Sequence, residues 1–346
     1  MLTKNPRSLR LSSTIVAYWE RGHLLCEDYF SQKKIETTPL ILELMNQFAQ
    51  NPFADRALNR NQRAAVMRLY RLGFLIERGS PEETARKSLE SWHWSALAQA
   101  FAFSLRHANK LTTKKERLGY ARHLLRQSPP PPNNKTYPVS SKWNLPKPTG
   151  SENGAYRNLL GIRNAEHLLK KPISLSVLSR ILFAVWGEQE RVRTIFGTLP
   201  VKTSRSAGNR YPIEVYLILT NVEGIPRGLY HYDARGHRLE KIKSGSLIQD
   251  AFDIACRQKP FKNAAAYLIM TAVIERTAWK YRHDQGFLMV ALDAGHLSQS
   301  LYVAAHSFGL GVLTTPKVLR ERAERLINLD PAKEFVLTIS SLGVKN

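Results

Sequence analysis

Several polar, cation-bearing stretches of this 346-residue chain stand where apolar runs begin or end. "RTAWKY" places Arg276, Lys280 and Tyr281 just past the run "AAYLIMTAVI". "SRSAGNRYP" brings hydroxyls, an amide and the small residues Ser206, Ala207, Gly208 and Asn209 to the mouth of "IEVYLILT". "RNAEH" sets Arg163, Asn164 and His167 a short way before a long apolar segment. "HSFGLGVLTTP" offers a glycine turn with Thr314 and Thr315, and Lys345 follows the final apolar run. Lysine and tyrosine can move protons. Cations suit a phosphate, and small residues let a backbone approach a flat ligand. Together these are the parts of a site for a cofactor with a phosphate and a ring. Singly, each has a plainer reading: Arg163 as a surface cation, the glycines as caps, Lys280–Tyr281 as an exposed pair.

Other chemistries lack their motifs. No G-x-G-x-x-G or P-loop occurs, which argues against a Rossmann site or a nucleotide triphosphatase. No H-E-x-x-H and no cysteine cluster is present, and ten scattered histidines form no ligand spacing, so no metal is expected. There is no G-x-S-x-G elbow. Cys26 and Cys256 lie far apart and read as buried or idle thiols of a reducing compartment. No apolar run is long enough to span a bilayer, and the first residues carry no apolar signal core. A soluble, cytoplasmic protein is the expectation.

A net charge of +23 favours acidic partners. It is spread along the chain, with one concentration in residues 106–127, where seven Lys/Arg face the single acid Glu116. That segment reads as a solvated helix face or as a docking surface for an acidic partner.

The elements that must position these residues fall into two parts. "SPPPPNNKTYP" cannot continue a helix and marks a linker over 128–149, between an N-terminal domain of 1–127 and a C-terminal domain of 150–346. The first part opens with a hairpin turning at "ERG" and a helix "TPLILELMNQFAQ" started by Thr37 or Thr38. A second helix is closed by Gly73, and "FLIER" follows as a short strand. Helix, helix and strand suggest a small winged-helix-like module, but without a base-reading pattern, so nucleic acid is not the expected partner. In the second part, 174–187 reads as a helix with Ser174 or Ser176 near its N-cap. The runs 213–220 and 265–274 read as central strands, and 228–242 as a hairpin. A long helix over 286–311 is stopped by Gly309 and Gly311, and 334–343 is a last strand. Interleaved helices and strands imply an α+β fold layered around one core.

On "SAGNRYPIEVYLIL" with "GLYHYDARGHRLE", seconded by "WKY" and "LDAGHLSQSLYVAAHSFGLG", the chain resembles the SagB-type thiazole/oxazole dehydrogenase branch of the nitroreductase-like FMN-dependent superfamily. The resemblance runs nearly end to end. It implies a nitroreductase-like fold, a central mostly antiparallel sheet flanked by helices, preceded by the winged-helix-like domain. It implies FMN bound at a homodimer interface. Arg163, Asn164 and His167, helped by Lys345, would stand at the phosphate. Ser206, Ala207, Gly208 and Asn209 would lie along the flavin, with Thr314 and Thr315 near its ring. Ala165 stands where a serine is usual, and Arg205 where proline is common.

Lys280 and Tyr281 match the pair proposed to act on the substrate. Aromatising an azoline removes one C–H as a proton and its neighbour as a hydride, so a lysine amine or a tyrosinate near the proton is needed. The implied function is oxidation of a thiazoline, oxazoline or related unit on a peptide or acidic carrier protein, with a cyclodehydratase as a further partner. Two other readings stay open. One is an NAD(P)H-dependent flavin reductase of small electrophiles, and the other is a flavin-free scaffold that holds an acidic partner.

Overall fold

The computed structural model describes residues 8–51, 58–104, 113–127, 154–194, 197–281, 283 and 285–346. Its N-terminal part runs β1 (Leu9–Leu11), β2 (Ile15–Glu20), β3 (His23–Asp28), β4 (Lys33–Glu36), α1 (Pro39–Gln50), α2 (Arg60–Leu72), β5 (Leu75–Glu77), α3 (Pro81–Lys87), α4 (Ala96–Ser104) and α5 (Lys114–Gln127). The expected hairpin is β2–β3, which β4 extends to three strands, while β5 pairs with β1. Thr38, not Thr37, caps α1, its hydroxyl accepting from the Ile41 amide with Pro39 in the first turn. Asn59 and Gln62 form a capping box on α2, and Gly73 ends it. Leu44, Phe48, Val66, Leu69, Phe74 and Leu75 close a core under these helices. The proline-rich seam 128–149 and residues 106–112 of the basic segment lie outside the described residues.

The C-terminal part runs α6 (Gly154–Leu160), β6 (Ile173–Ser174), α7 (Leu175–Trp186), β7 (Glu190–Thr194), β8 (Gly197–Val201), β9 (Ile213–Leu219), β10 (Val222–Glu223), β11 (Gly228–Asp233), β12 (Arg238–Ser244), α8 (Ile248–Ile254), β13 (Ala266–Val273), α9 (Ile274–Ala278), α10 (Gln285–Ser307), β14 (Leu310–Thr315), α11 (Arg320–Ile327) and β15 (Glu334–Val344). Six strands make an antiparallel sheet in the order β12-β11-β9-β13-β15-β14. Val215, Leu217, Leu268 and Met270 point to the side of α7 and α10, while Tyr216, Ile218, Tyr267 and Ile269 point to the side of α8 and α11. Helices thus cover both faces, which is why β9 and β13 read as unbroken apolar runs.

Ser174 caps α7 through the Val177 amide, rather than Ser176. The long helix stops at Ser307, short of the expected 311, and Gly311 lies inside β14. A Cβ on Gly311 would come 2.9 Å from Ala165 Cβ and 3.1 Å from Lys345 Cβ, so its lack of a side chain serves close approach and not helix termination. The polar hairpin β7–β8 has no apolar periodicity and was not foreseen. Among the described residues no helix is long and apolar enough to cross a membrane. Cys26 and Cys256 are free and buried.

Besides its own core, the N-terminal part contributes to one of the C-terminal clusters. Trp92, Trp94 and Phe103 join the apolar cluster beneath α7 and α10. The Trp92 indole donates to Ala332 O (3.2 Å), and the ring stacks on Phe335. Trp94 Nε1 donates to Tyr281 O (3.4 Å), and its ring fills the space beside Gly286, where an added Cβ would stand 2.8 Å from it. Gly286→Ala in a helix would by itself gain up to about 1 kcal/mol. Overpacking against the indole costs about 1–3 kcal/mol. The expected outcome is net destabilisation of the whole chain, read by denaturant unfolding; an unchanged or raised midpoint contradicts the tight seat of Trp94.

Candidate functional site

The loop 203–212 enters β9 in an unusual backbone. Gly208, Asn209 and Tyr211 all have positive φ, at 60°, 54° and 45°, a conformation held only where surroundings over-determine it. The restraints come from α10 and α9. Ser206 Oγ donates to Asp293 Oδ2 (2.5 Å) and accepts from the Tyr211 amide (2.9 Å). Ser204 bonds Ser300 (2.7 Å), and His296 Nδ1 meets Arg205 O (3.1 Å). Burial pushes the Asp293 carboxyl above its ordinary range, opposed by the Ser206 hydroxyl and the Ala207 amide.

The α9 side is a latch of arginines. Arg276 Nη1 pairs with Glu214 (2.5 Å) and donates to Tyr211 O (3.0 Å), while Arg210 Nε donates to Arg276 O (3.0 Å). The Arg210 guanidinium also lies 4.8 Å over the Trp279 ring. These bonds bring Lys280 and Tyr281 onto the loop: a Cβ at Gly208 would lie 2.6 Å from Lys280 Nζ and 2.8 Å from Tyr281 Oη. Behind the latch, His231 bridges Glu214 (3.0 Å) and Glu240 (3.1 Å). Its hydrogen bond to Glu214 raises its pKa. Burial resists ionisation of Glu214, yet His231 and Arg276 hold its carboxyl below the usual range. Burial raises the neighbouring Glu334 carboxyl, which Thr271 and Tyr216 hydrogen-bond.

A second group lines a cavity of about 330 Å³: Arg163, Asn164, His167 and Lys345, with Glu166 and His306. Arg163 Nη1 donates to Leu160 O (2.8 Å) and Ile162 O (2.7 Å). Asn164 Oδ1 accepts from Tyr302 Oη (2.7 Å), which in turn accepts from the Thr314 amide (2.8 Å). Ala165, at the position where a serine was the family expectation, turns its methyl into the core under β14, and its amide bonds Val312 O (2.9 Å). Two cations, Arg163 and Lys345, and the His167 ring in a small cavity make a donor set that fits a phosphate, with Glu166 the opposing charge.

The expected residues therefore fall into two groups. Ser206, Ala207, Gly208 and Asn209 meet Lys280 and Tyr281; Arg163, Asn164, His167 and Lys345 share the cavity. Helix α10 ties them together, holding the loop through Asp293 and Asn164 through Tyr302. Nine residues separate those anchors, about 13 Å along the axis. Thr314 belongs with the cavity through Tyr302, and its Oγ1 bonds Ser340 (2.8 Å). Thr315 Oγ1 accepts from the Lys317 amide (3.1 Å) and shapes the turn after β14, which corrects "GLGVLTTP" from a turn to a strand ending in one. Asp293, Glu214, His231 and Trp94 were missed. Asp293 is the single acid in the apolar helix α10, and that contrast was a readable signal.

The sequence profile described as the nitroreductase family matches residues 165–343, just over half of the chain. Over 187 residues the chain is 30% identical to protein MJ1384 of Methanocaldococcus jannaschii, whose name places it among the nitroreductases; the match covers 54% of this chain and 89% of that one. Over 144 residues it is 33% identical to the trifolitoxin-processing protein TfxB of Rhizobium leguminosarum bv. trifolii, covering 40% of this chain and 38% of TfxB. Among solved structures, the E. coli microcin synthetase McbBCD complex with truncated pro-MccB17 bound aligns at 17% identity and TM-score 0.48, over 65% of this chain and 82% of that chain. A nitroreductase-type structure from Anabaena variabilis aligns at 21% identity and TM-score 0.47, over 56% of this chain and 38% of that one. The chain thus spans well under half of TfxB and of the Anabaena chain.

Gly208→Ala combines a disfavoured φ with a methyl inside the space of Lys280 and Tyr281. It should cost about 1–3 kcal/mol in stability and displace both side chains; wild-type stability in urea would contradict that close packing. The latch carries a pH signature. A raised histidine contributes stability that is complete below its unfolded pKa, about 6.5, and is lost as pH rises through its higher folded value. A lowered glutamate contributes above about 4.3 and loses it as pH falls through its folded value. Wild type should therefore exceed His231→Gln most between about pH 4.3 and 6.5, with the gap narrowing above. A gap that stays constant up to pH 9 in urea titrations rules out this coupling.

Proposed function

The chain belongs to the nitroreductase family, and from that premise we propose that it is an FMN-dependent dehydrogenase of the SagB type, oxidising an azoline or related unit carried on a peptide or carrier protein. The observation that carries the reading is the convergence of Lys280 and Tyr281 on the loop 206–209. An acid–base pair held against a small-residue loop is the arrangement needed to take a Cα proton beside a flat acceptor. The likeness to TfxB, named for trifolitoxin processing, supports a peptide as the carrier.

Arg163, His167 and Lys345 would hold the FMN phosphate in their cavity, and Ser206 to Asn209 would line the ring. FMN, when bound, supplies the hydride acceptor. The chain's own residues do the rest. Asp293 and the Arg276–Glu214 pair keep the loop in its left-handed backbone. Arg210 packs on Trp279 and sets the start of the Lys280–Tyr281 segment, while Trp94 fixes its end at Tyr281 O. Lys280 Nζ or Tyr281 Oη receives the substrate proton. Because an azoline arises by loss of water from a cysteine, serine or threonine unit, a cyclodehydratase acts upstream, and the enzyme works as a homodimer.

The purified protein should be yellow or become so on adding FMN, and Lys280→Ala and Tyr281→Phe should each slow azoline oxidation by about 10²–10⁴-fold while retaining flavin. Full turnover by both variants overturns the assigned roles. Failure to take up FMN overturns the flavoenzyme reading. Anaerobic bleaching by NADH or NADPH, without consumption of azoline, puts a flavin reductase in its place.

A further inference from the structure

One end of the six-stranded sheet lies away from the loop 203–212. β9 follows that loop at Ile213 and ends at Leu219. Leu219 stands opposite Gly228 of β11 and Ala266 of β13, Ala266 opposite Leu342 of β15, and Gly228 opposite Ser244 of β12. The end of β12, the start of β11, the end of β9, the start of β13 and the end of β15 are therefore side by side. At about 3.3 Å per residue they lie about 20 Å from the loop.

Cations collect at this end. Lys243 is near the end of β12, Arg227 just before β11, and Lys262 in the turn before β13. Lys170 and Lys171 stand beside the end of β15, because Leu168 bridges to Lys345 and the Leu169 amide donates to Val344 O (2.8 Å). Two further bonds tie the turns together. Arg227 O accepts from the Gly245 amide (3.2 Å), and Asn263 Nδ2 donates to Leu168 O (3.0 Å). All five cationic residues are exposed. Elsewhere Arg191, Arg238, Arg257 and Arg322 each pair with a carboxylate; none of these five does so among the described residues. Glu223 is the one acid in the turns 168–171, 221–227, 243–246 and 262–264. Like charges held together repel, a cost that an anionic partner removes.

The layout selects the kind of anion. Neighbouring strands lie about 4.8 Å apart, so from β12 to β15 the cations form a row about 19 Å long, the length of roughly six extended residues. A row is matched by a chain. The same turns hold no phenylalanine, tyrosine or tryptophan, so they offer no ring on which a nucleic-acid base could stack. None of the five cations lies on an α-helix that could enter a duplex groove. We propose that this end of the sheet binds an extended, acid-rich polypeptide segment, whose carboxylates meet Lys243, Arg227, Lys262, Lys170 and Lys171 along the row. Lys345 lines the adjoining cavity and is left to the group bound there. The surface is read by binding alone and stands whether or not the chain carries a flavin.

The test is fluorescence anisotropy of the full-length protein with the labelled peptide Glu-Ala-Glu-Ala-Glu-Ala-Glu-Ala, its counterpart with Gln for Glu, and oligo-dT of similar charge. At low salt the Glu peptide should bind with a Kd below about 1 mM and about tenfold or more tightly than the Gln peptide. Its binding should fall as salt rises. Lys170→Glu/Lys171→Glu and Lys243→Glu/Lys262→Glu change exposed side chains, where folding is preserved. Each double variant should weaken the Glu peptide about tenfold. Lys115→Glu/Arg122→Glu, at exposed positions of α5, removes the same charge elsewhere and should weaken it by less than about twofold. Equal weakening by the α5 variant, equal binding of the two peptides, a flat salt response, or no binding at about millimolar concentration each overturns the proposal. Tighter binding of oligo-dT, lost in the first two variants, overturns it in favour of nucleic acid.

Discussion

The close approach of Lys280 and Tyr281 to Gly208 is the constraint on which the rest of the site depends. No side chain can stand at position 208, and the loop around it occupies a backbone that most residues avoid. Such a loop persists only if its surroundings hold it from several directions. Asp293 and Ser300 on α10 hold one flank, and Arg276 with Glu214 holds the other. These anchors explain why a single acid sits in an apolar helix and why an acid sits in a central strand. Each carboxylate is an acceptor aimed at donors of the loop or of the segment facing it.

The same logic extends to the N-terminal part. Its Trp92 and Trp94 complete the core under α10, and Trp94 reaches the carbonyl of Tyr281. The small N-terminal elements are therefore joined to the segment that carries the proposed acid–base pair. The charge of Arg276, four residues before Lys280, is committed to Glu214, so it acts by position. At the other end of α10, Tyr302 ties Asn164 to β14, and Gly311 lets the segment around Ala165 lie flat against that strand. One helix thus sets the spacing between a cationic cavity and the loop on which Lys280 and Tyr281 converge.

Much of this was legible in the sequence. The unbroken apolar runs of β9 and β13 announced strands covered on both faces, and Thr38, Gly73 and Ser174 marked helix ends through their capping chemistry. The loop at 203–209 and the pair at 280–281 were readable as small and polar stretches standing at the ends of apolar runs. Where reading failed, local signals were ambiguous. "GLGVLTT" contains two glycines that look like a helix stop and a turn. One of them is a strand residue whose missing side chain admits Ala165. The hairpin β7–β8 has only the partly buried Val192, Leu199 and Val201 on one face, too few to make a periodic pattern.

The sequence by itself determined the α+β layering, the ends of the main helices, and the residue types available for chemistry, because burial period and capping are local properties. Only the tertiary structure decided which of those residues meet. Lys280 and Gly208 are far apart in the chain, and their contact depends on the register of β9 against β13 and on arginines that bridge two loops. Glu214, Asp293 and Trp94 gained their roles in the same way, since a buried carboxylate or indole is defined by the partners that long-range packing brings to it.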